Sequence, residues 1–155
     1  MTHDELMRAA IALSIENIEQ GGGPFGAVIA RDGEIIATGV NRVAQHCDPT
    51  AHAEVSAIRA AAAHLGSFNL SGCQIYSSCE PCPMCLGAIY WARLDHLYYG
   101  NSQYDAQHID FDDAFIYQEL ALNPADRKLP TQPLLGQEAI KAFELWEQKT
   151  DKVAY

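Results

Sequence analysis

The chain has 155 residues, 48% of them hydrophobic and 19% charged, a composition that fits one globular domain long enough to bury a sizeable core. Ten Lys and Arg against twenty Asp and Glu leave a formal charge of −10, which disfavours a nucleic-acid partner because phosphate binding rests on basic side chains. No apolar run is long enough to span a bilayer and the first ten residues lack the apolar centre of a signal peptide, so a cytoplasmic protein with no membrane partner is expected.

Taken in order, Asp4 to about Gln20 reads as a helix. Thr2 and Glu5 suit a capping box, and Leu6, Ala9, Ala10, Leu13 and Ile18 recur at helical spacing. Gly21 to Gly23 end it. Ala27–Arg31 and Glu34–Val40 read as strands joined by the hairpin signal Asp32-Gly33. Asn41 to Thr50 is a polar connector into a second helix, Ala51 to about Leu65, with Gly66 placed to stop it. Cys73–Ser78 is a third strand, Pro83 to about Arg93 a third helix, and His96–Gly100 a fourth strand. The alternation of strand and helix predicts parallel pairing with right-handed crossings. Beyond Asn101 the pattern loosens. Phe111 to about Leu122 suits a helix, residues 123–127 a connector, and Gly136 to Lys149 an amphipathic helix carrying Ile140, Phe143, Leu145 and Trp146. No repeat or linker divides the chain, so residues 1–155 are expected to form one domain.

Five cysteines are an odd number, and three of them bunch as CxxCxxC at Cys79, Cys82 and Cys85. In a reducing compartment that pattern favours metal over disulfides. Pro81 and Pro83 flank Cys82, and proline is tolerated only in a helix's first turn. Cys82 and Cys85 therefore belong at a helix N-terminus, where the dipole favours thiolate. Upstream, Asp48, Pro49 and Thr50 are start signals for the helix that carries His52 and Glu54. Two residues apart, these can share one centre only at a helix end. Two helix N-termini facing one metal satisfy both motifs. Three protein ligands, His52, Cys82 and Cys85, leave one tetrahedral position open, the mark of a catalytic zinc, and a water there can fall to a pKa of roughly 7. Glu54 is then placed to move that water's proton.

His-Ala-Glu followed by Pro-Cys-x-x-Cys is the pattern of zinc-dependent nucleobase deaminases. The chain resembles the cytidine deaminase superfamily from end to end, and within it the bacterial guanine deaminase branch. The strings that carry the closer likeness are GGGPFGAVI, DPTAHAEVSAIR, SCEPCPMCLGAIYWAR, FDDAFIY and the terminal Tyr155. The resemblance implies a three-layer α/β/α fold on a mixed five-stranded sheet. It implies one zinc per subunit on His52, Cys82 and Cys85, with Glu54 as proton shuttle. The implied reaction is hydrolysis of guanine to xanthine and ammonia. It further implies Asp113 as a second acid near the leaving amine, and Phe25, Asn41, Ala53, Trp91 and Tyr155 as contacts of the base. The expected partners are a small purine base and a second copy of the chain, in a homodimer whose C-terminal segment, about residues 123–155, closes over a pocket of its own or of its neighbour. The stretch from Gln103 to Asp110 matches no motif of the branch.

Each assignment has a plainer alternative. Cys79 could make the zinc site a closed, structural one, or the three cysteines could serve an iron–sulfur cluster, although the fourth position of that run holds Ile89. Glu54 alone would be a solvated surface carboxylate. Asn41 could be a turn residue. Asp112 and Asp113 could simply favour a helix dipole. Phe25 and Trp91 could be core, and Tyr155 a frayed end. At the level of function the rivals are a deaminase of cytosine or of adenosine in tRNA, and a non-catalytic zinc-binding interaction domain. An RNA-acting enzyme should carry a basic face and contacts for flanking nucleotides.

Overall fold

The chain begins with a reciprocal cap. In the computed structural model, which describes residues 1–155, the Glu5 N–H donates to the Thr2 hydroxyl at 3.2 Å and the Thr2 N–H donates to the Glu5 carboxylate at 2.7 Å. That box opens helix α1, His3–Glu19, whose buried face is Leu6, Ala10, Ser14 and Asn17. Strands β1, Gly26–Arg31, and β2, Glu34–Val40, follow as an antiparallel hairpin. Its turn residues Asp32 (φ 53°) and Gly33 (φ 77°) both lie in the left-handed region, as the tight turns that match strand twist require.

A single turn of helix α2, Val43–His46, sits in the polar connector. Helix α3, Ala53–Leu65, ends at Gly66 with φ 62°, in the left-handed conformation that stops a helix. Strand β3, Gln74–Cys79, leads to helix α4, Pro83–Trp91, and on to strand β4, His96–Asn101. The four strands make one mixed sheet in the order β2-β1-β3-β4. Only β3 and β4 pair in parallel; β1 is antiparallel to both its neighbours. The expected hairpin and mixed sheet are present, and the parallel pairing expected across both helical crossings holds for the β3-α4-β4 unit alone. The hairpin places β1 beside β2, so α3 has to carry the chain past β1 before β3 can pair.

Alternation along β1 sorts the core into two layers. Ala27 and Ile29 pack with Ala53, Ala57, Ala61, Ile75, Ile89 and Ala92 under α3 and α4. Val28 and Ala30 pack with Leu6, Ala10 and Tyr76 under α1. This is the expected three-layer arrangement, helix on sheet on helix.

The sheet has four strands rather than five. After β4, Ser102 and Asp105 form a second capping box, which starts helix α5, Gln103–His108, where an extended segment would otherwise continue. Helix α6, Ala114–Leu120, and a short helical turn, Pro124–Asp126, come next. Pro130 and Pro133 then interrupt the remaining extended stretch, and neither can donate to a sheet ladder. Helix α7, Gly136–Gln148, closes the chain with Ile140, Phe143, Leu145 and Trp146 all exposed.

Candidate metal centre and its pocket

His52 is the N-cap of α3 and Cys82 the N-cap of α4, both in extended backbone, and Pro83 occupies the first turn of α4. Cys85 lies one turn further in and is buried. The helix begins at Ala53 rather than Ala51, which leaves His52 outside the helical spiral and Glu54 inside it. That break in backbone conformation is what lets residues two apart face one centre. The ligand atoms of His52, Cys82 and Cys85 lie within 4.8 Å of one another, with the His52 Nδ1 3.5 Å from each sulfur.

Two sulfurs and an imidazole nitrogen form a donor set suited to zinc. The proton distribution fits the same use. The hydrogen bond from the Cys85 thiol, followed by that from His52, draws Cys82 down to about 4, while the same bond to Cys82 and burial push Cys85 up. Thiolate character is thereby favoured at Cys82 and disfavoured at Cys85. His52 is raised, chiefly by its hydrogen bond to Cys82. A cation between these groups would release those protons, since only thiolate and neutral imidazole bind metal. Cys79 stands apart. Its sulfur faces the Ser102 carbonyl at 3.8 Å and burial pushes its thiol up to about 12, so the cluster has three ligands and no fourth cysteine. Ile89 is buried in the core, where the last cysteine of an iron–sulfur run would stand.

His52 and Cys82 form one end of a cavity of about 550 Å³, and Cys85 is buried beside them. Glu54 reaches the same space from the first turn of α3. It is almost wholly buried, and burial raises its pKa. Asp113, the N-cap of α6, also lines the cavity. Its Oδ1 is buried without a hydrogen-bond partner, and its pKa is raised, again chiefly by burial. A buried orphan acceptor is uncommon in native proteins and points to an absent partner. Asn41, at the end of β2, is 9% exposed. Its Oδ1 accepts the Val43 N–H at 3.2 Å, which leaves its amide nitrogen as the group free to donate. Phe25 lines the wall and meets Phe111 edge to face, ring centres 5.0 Å apart at 87°.

Three of the residues singled out from the sequence lie elsewhere in this single chain. Ala53 is fully buried in the core beside the ligand cluster. Trp91 and Tyr155 are 62% and 75% exposed, outside the cavity, with their rings 5.9 Å apart. Conversely, Phe111, Glu80, Met84 and Ala106 line the cavity and escaped the sequence reading. Glu80 accepts the Gln103 N–H at 3.2 Å and so ties the start of α5 to the metal loop. The signal that would have found this wall is the cap pair Ser102 and Asp105, which spans the start of the stretch that matched no motif.

Residues 1–101 match the cytidine and deoxycytidylate deaminase zinc-binding region. The chain is 46% identical to guanine deaminase of Bacillus subtilis (strain 168), covering 100% of both chains. The crystal structure of guanine deaminase from Bacillus subtilis superposes with a TM-score of 0.97, covering 100% of this chain and 99% of that one. Guanine deaminase from Nitrosomonas europaea superposes with a TM-score of 0.70 at 29% identity, covering 91% of this chain and 72% of that one. A tRNA-specific adenosine deaminase of Agrobacterium fabrum is 48% identical over 77 residues, covering 50% of this chain and 51% of that protein.

Proposed function

The chain belongs to the cytidine and deoxycytidylate deaminase zinc-binding family, and on that premise we propose that it hydrolyses guanine to xanthine and ammonia. It is a guanine deaminase homologue along its whole length, whereas its similarity to the tRNA-specific adenosine deaminases covers only part of it, 50% for one and 70% for another. The observation that carries the reading is that His52 and Cys82 of the three-ligand cluster share one cavity with two carboxyl groups, the buried Glu54 and Asp113 with its buried, unpartnered oxygen. No lysine or arginine lines that cavity, which suits an uncharged base better than a nucleotide or an RNA strand.

Held by His52, Cys82 and Cys85, a zinc would supply Lewis acidity and would lower the pKa of a water to roughly 7. Glu54, facing the same cavity, is placed to take a proton from such a water and carry it to the exocyclic nitrogen. Burial suits it to this, because a carboxyl with a raised pKa holds a proton transiently near neutral pH. With the proton from Glu54 the exocyclic nitrogen can leave as ammonia; the water's other proton, on the hydroxyl the base has gained, must pass to the neighbouring ring nitrogen, and Asp113, with an unpartnered oxygen in the cavity near the leaving amine, assists this second transfer. Proton transfer of this kind contributes typically about 10²–10⁴-fold. Asn41 donates through its amide nitrogen to an acceptor on the base, and Phe25 lies against the ring. Ala53, at the start of α3, offers backbone to the base edge.

Trp91 and Tyr155 serve the pocket of a second subunit in this reading. Leu129, Leu134, Leu135 and the apolar residues of α7 are exposed in the single chain, and apolar surface on that scale marks a protein interface. The assembly is a homodimer in which the segment 123–155 is exchanged and closes over the neighbour's pocket, each chain remaining one domain. Thiolate ligands that must stay reduced favour the cytoplasm.

The test is ammonia release by the zinc-loaded protein from guanine, cytosine, adenine and guanosine compared side by side, with Glu54→Gln as control. Release from guanine alone, abolished by Glu54→Gln with zinc retained, is expected. Release from another base would keep the metal chemistry and overturn the pocket assignments. No release from any of the four would favour a non-catalytic zinc domain.

A further inference from the structure

Helix α6 carries Asp113 at its start, yet none of the helix residues is buried. The chain just before it turns through Asp110 at φ 72°. Nearly every hydrogen bond made by residues 111–122 is local. Phe111 donates to Ala106, Ile116 and Tyr117 donate to Asp113, and Glu119 receives Arg127 and Lys128. One bond reaches across the fold: the Tyr117 hydroxyl donates to the Pro81 carbonyl at 2.6 Å. Pro81 directly precedes the ligand Cys82. Tyr117 and Asp113 are four residues apart on α6, a separation that puts them on one helix face, and the Tyr117 N–H donates to the Asp113 carbonyl at 3.1 Å.

We propose that Tyr117 is the positioning residue for Asp113: its hydroxyl fixes α6 to the metal loop and so sets where the unpartnered Asp113 carboxyl stands relative to the ligand cluster. This inference rests on the reading of Asp113 as a participant in deamination. A short, solvent-facing helix is held in place only by what it docks against, and a site needs its groups held to within about 0.5 Å. Burial cannot supply that precision here, because α6 has no buried side chain. The Pro81 carbonyl is an unusually good anchor. Pro81 is itself buried, and the residue after it is a metal ligand. Asp113 and the metal loop therefore move as one piece for as long as the bond holds.

Tyr117→Phe removes the hydroxyl and keeps the ring. The expected result is a kcat for guanine lowered about tenfold, the scale of one net hydrogen bond, with KM within about twofold. Zinc stoichiometry is expected to be unchanged. A purely structural role would lower kcat by the same factor in any background, so the deciding measurement is the double-mutant cycle. In an Asp113→Ala background the loss of the hydroxyl should change kcat by less than about twofold, because the group it positions is gone. Placing 4-aminophenylalanine at position 117, which restores an N–H donor of similar reach, should recover the rate and keeps the test open if the phenylalanine variant folds poorly. Additive losses, a rise in KM alone, or no recovery with the restored donor would overturn the inference while leaving the deaminase reading intact. A wild-type protein that releases no ammonia from guanine would overturn both.

Discussion

Gly39→Ala tests how the sheet aims the metal centre. Gly39 lies in β2 opposite Ala27, where α3 packs directly on the strand. A Cβ at this position would come closer than 3.0 Å to the Ala53 carbonyl oxygen and to the Ala57 amide nitrogen, and to 3.0 Å from the Ala57 Cα. All three are backbone atoms of α3, so no side chain can swing aside. Restoring an ordinary contact of about 3.5 Å requires the first turn of α3 to back away by roughly 1 Å. That turn carries Glu54 and is capped by His52. Overpacking of this kind costs about 1–3 kcal/mol, which for a chain of this size lowers Tm by roughly 3–10 °C. A displacement of about 1 Å at a reacting group can cost roughly 10²-fold in rate. The assay is thermal melting, zinc content and kcat for ammonia release, with Gly66→Ala as comparison. Gly66 has φ 62° and nothing within 4 Å of an added Cβ, so its alanine variant is destabilised by backbone strain at the far end of the same helix. Gly66→Ala is expected to lower Tm and leave kcat alone, whereas Gly39→Ala lowers both. A Gly39→Ala protein with wild-type kcat and zinc content would refute the claim that this contact places His52 and Glu54.

Three further outcomes are expected. Cys82→Ala removes one of three ligands, so the purified protein should lose both zinc, read by atomic emission, and turnover; stoichiometric zinc with full activity would reject Cys82 as a ligand. Glu54 has a folded-state pKa raised by burial, so the folded state holds its proton more tightly than the unfolded chain and stability falls as pH rises from the unfolded pKa of about 4.3 through the folded value. Metal-free Glu54→Gln should therefore melt higher than wild type at pH 7.5 and alike at pH 4, and a difference independent of pH would contradict the sign. Deleting Tyr155 should lower kcat/KM for guanine by about tenfold, the scale of one lost contact of about 1.4 kcal/mol; unchanged kinetics would return Tyr155 to a frayed chain end.

Local chemistry was enough for much of this protein. The Thr2–Glu5 box, the Asp32-Gly33 turn, the Gly66 stop and the proline-flanked Cys82 each act within a few residues, so the four strands, helices α1, α3, α4 and α7 and the three-ligand cluster were legible from the sequence, whereas the short α2 and α5 were not. Two features depended on distant parts of the chain. The sheet order was one: antiparallel β1 stands between β2 and β3 because the hairpin is closed by its own turn, and α3 must cross it. The missing fifth strand was the other, where a cap at Ser102 and two later prolines prevail over any tendency to extend. The cavity wall was equally hidden. Phe111 meets Phe25, Glu80 holds Gln103, and Tyr117 reaches Pro81 across 36 positions of sequence. Ligand spacing is a property of one helix turn and is written in order along the chain. The placement of Asp113 against that cluster is a property of packing between segments, which no local pattern encodes.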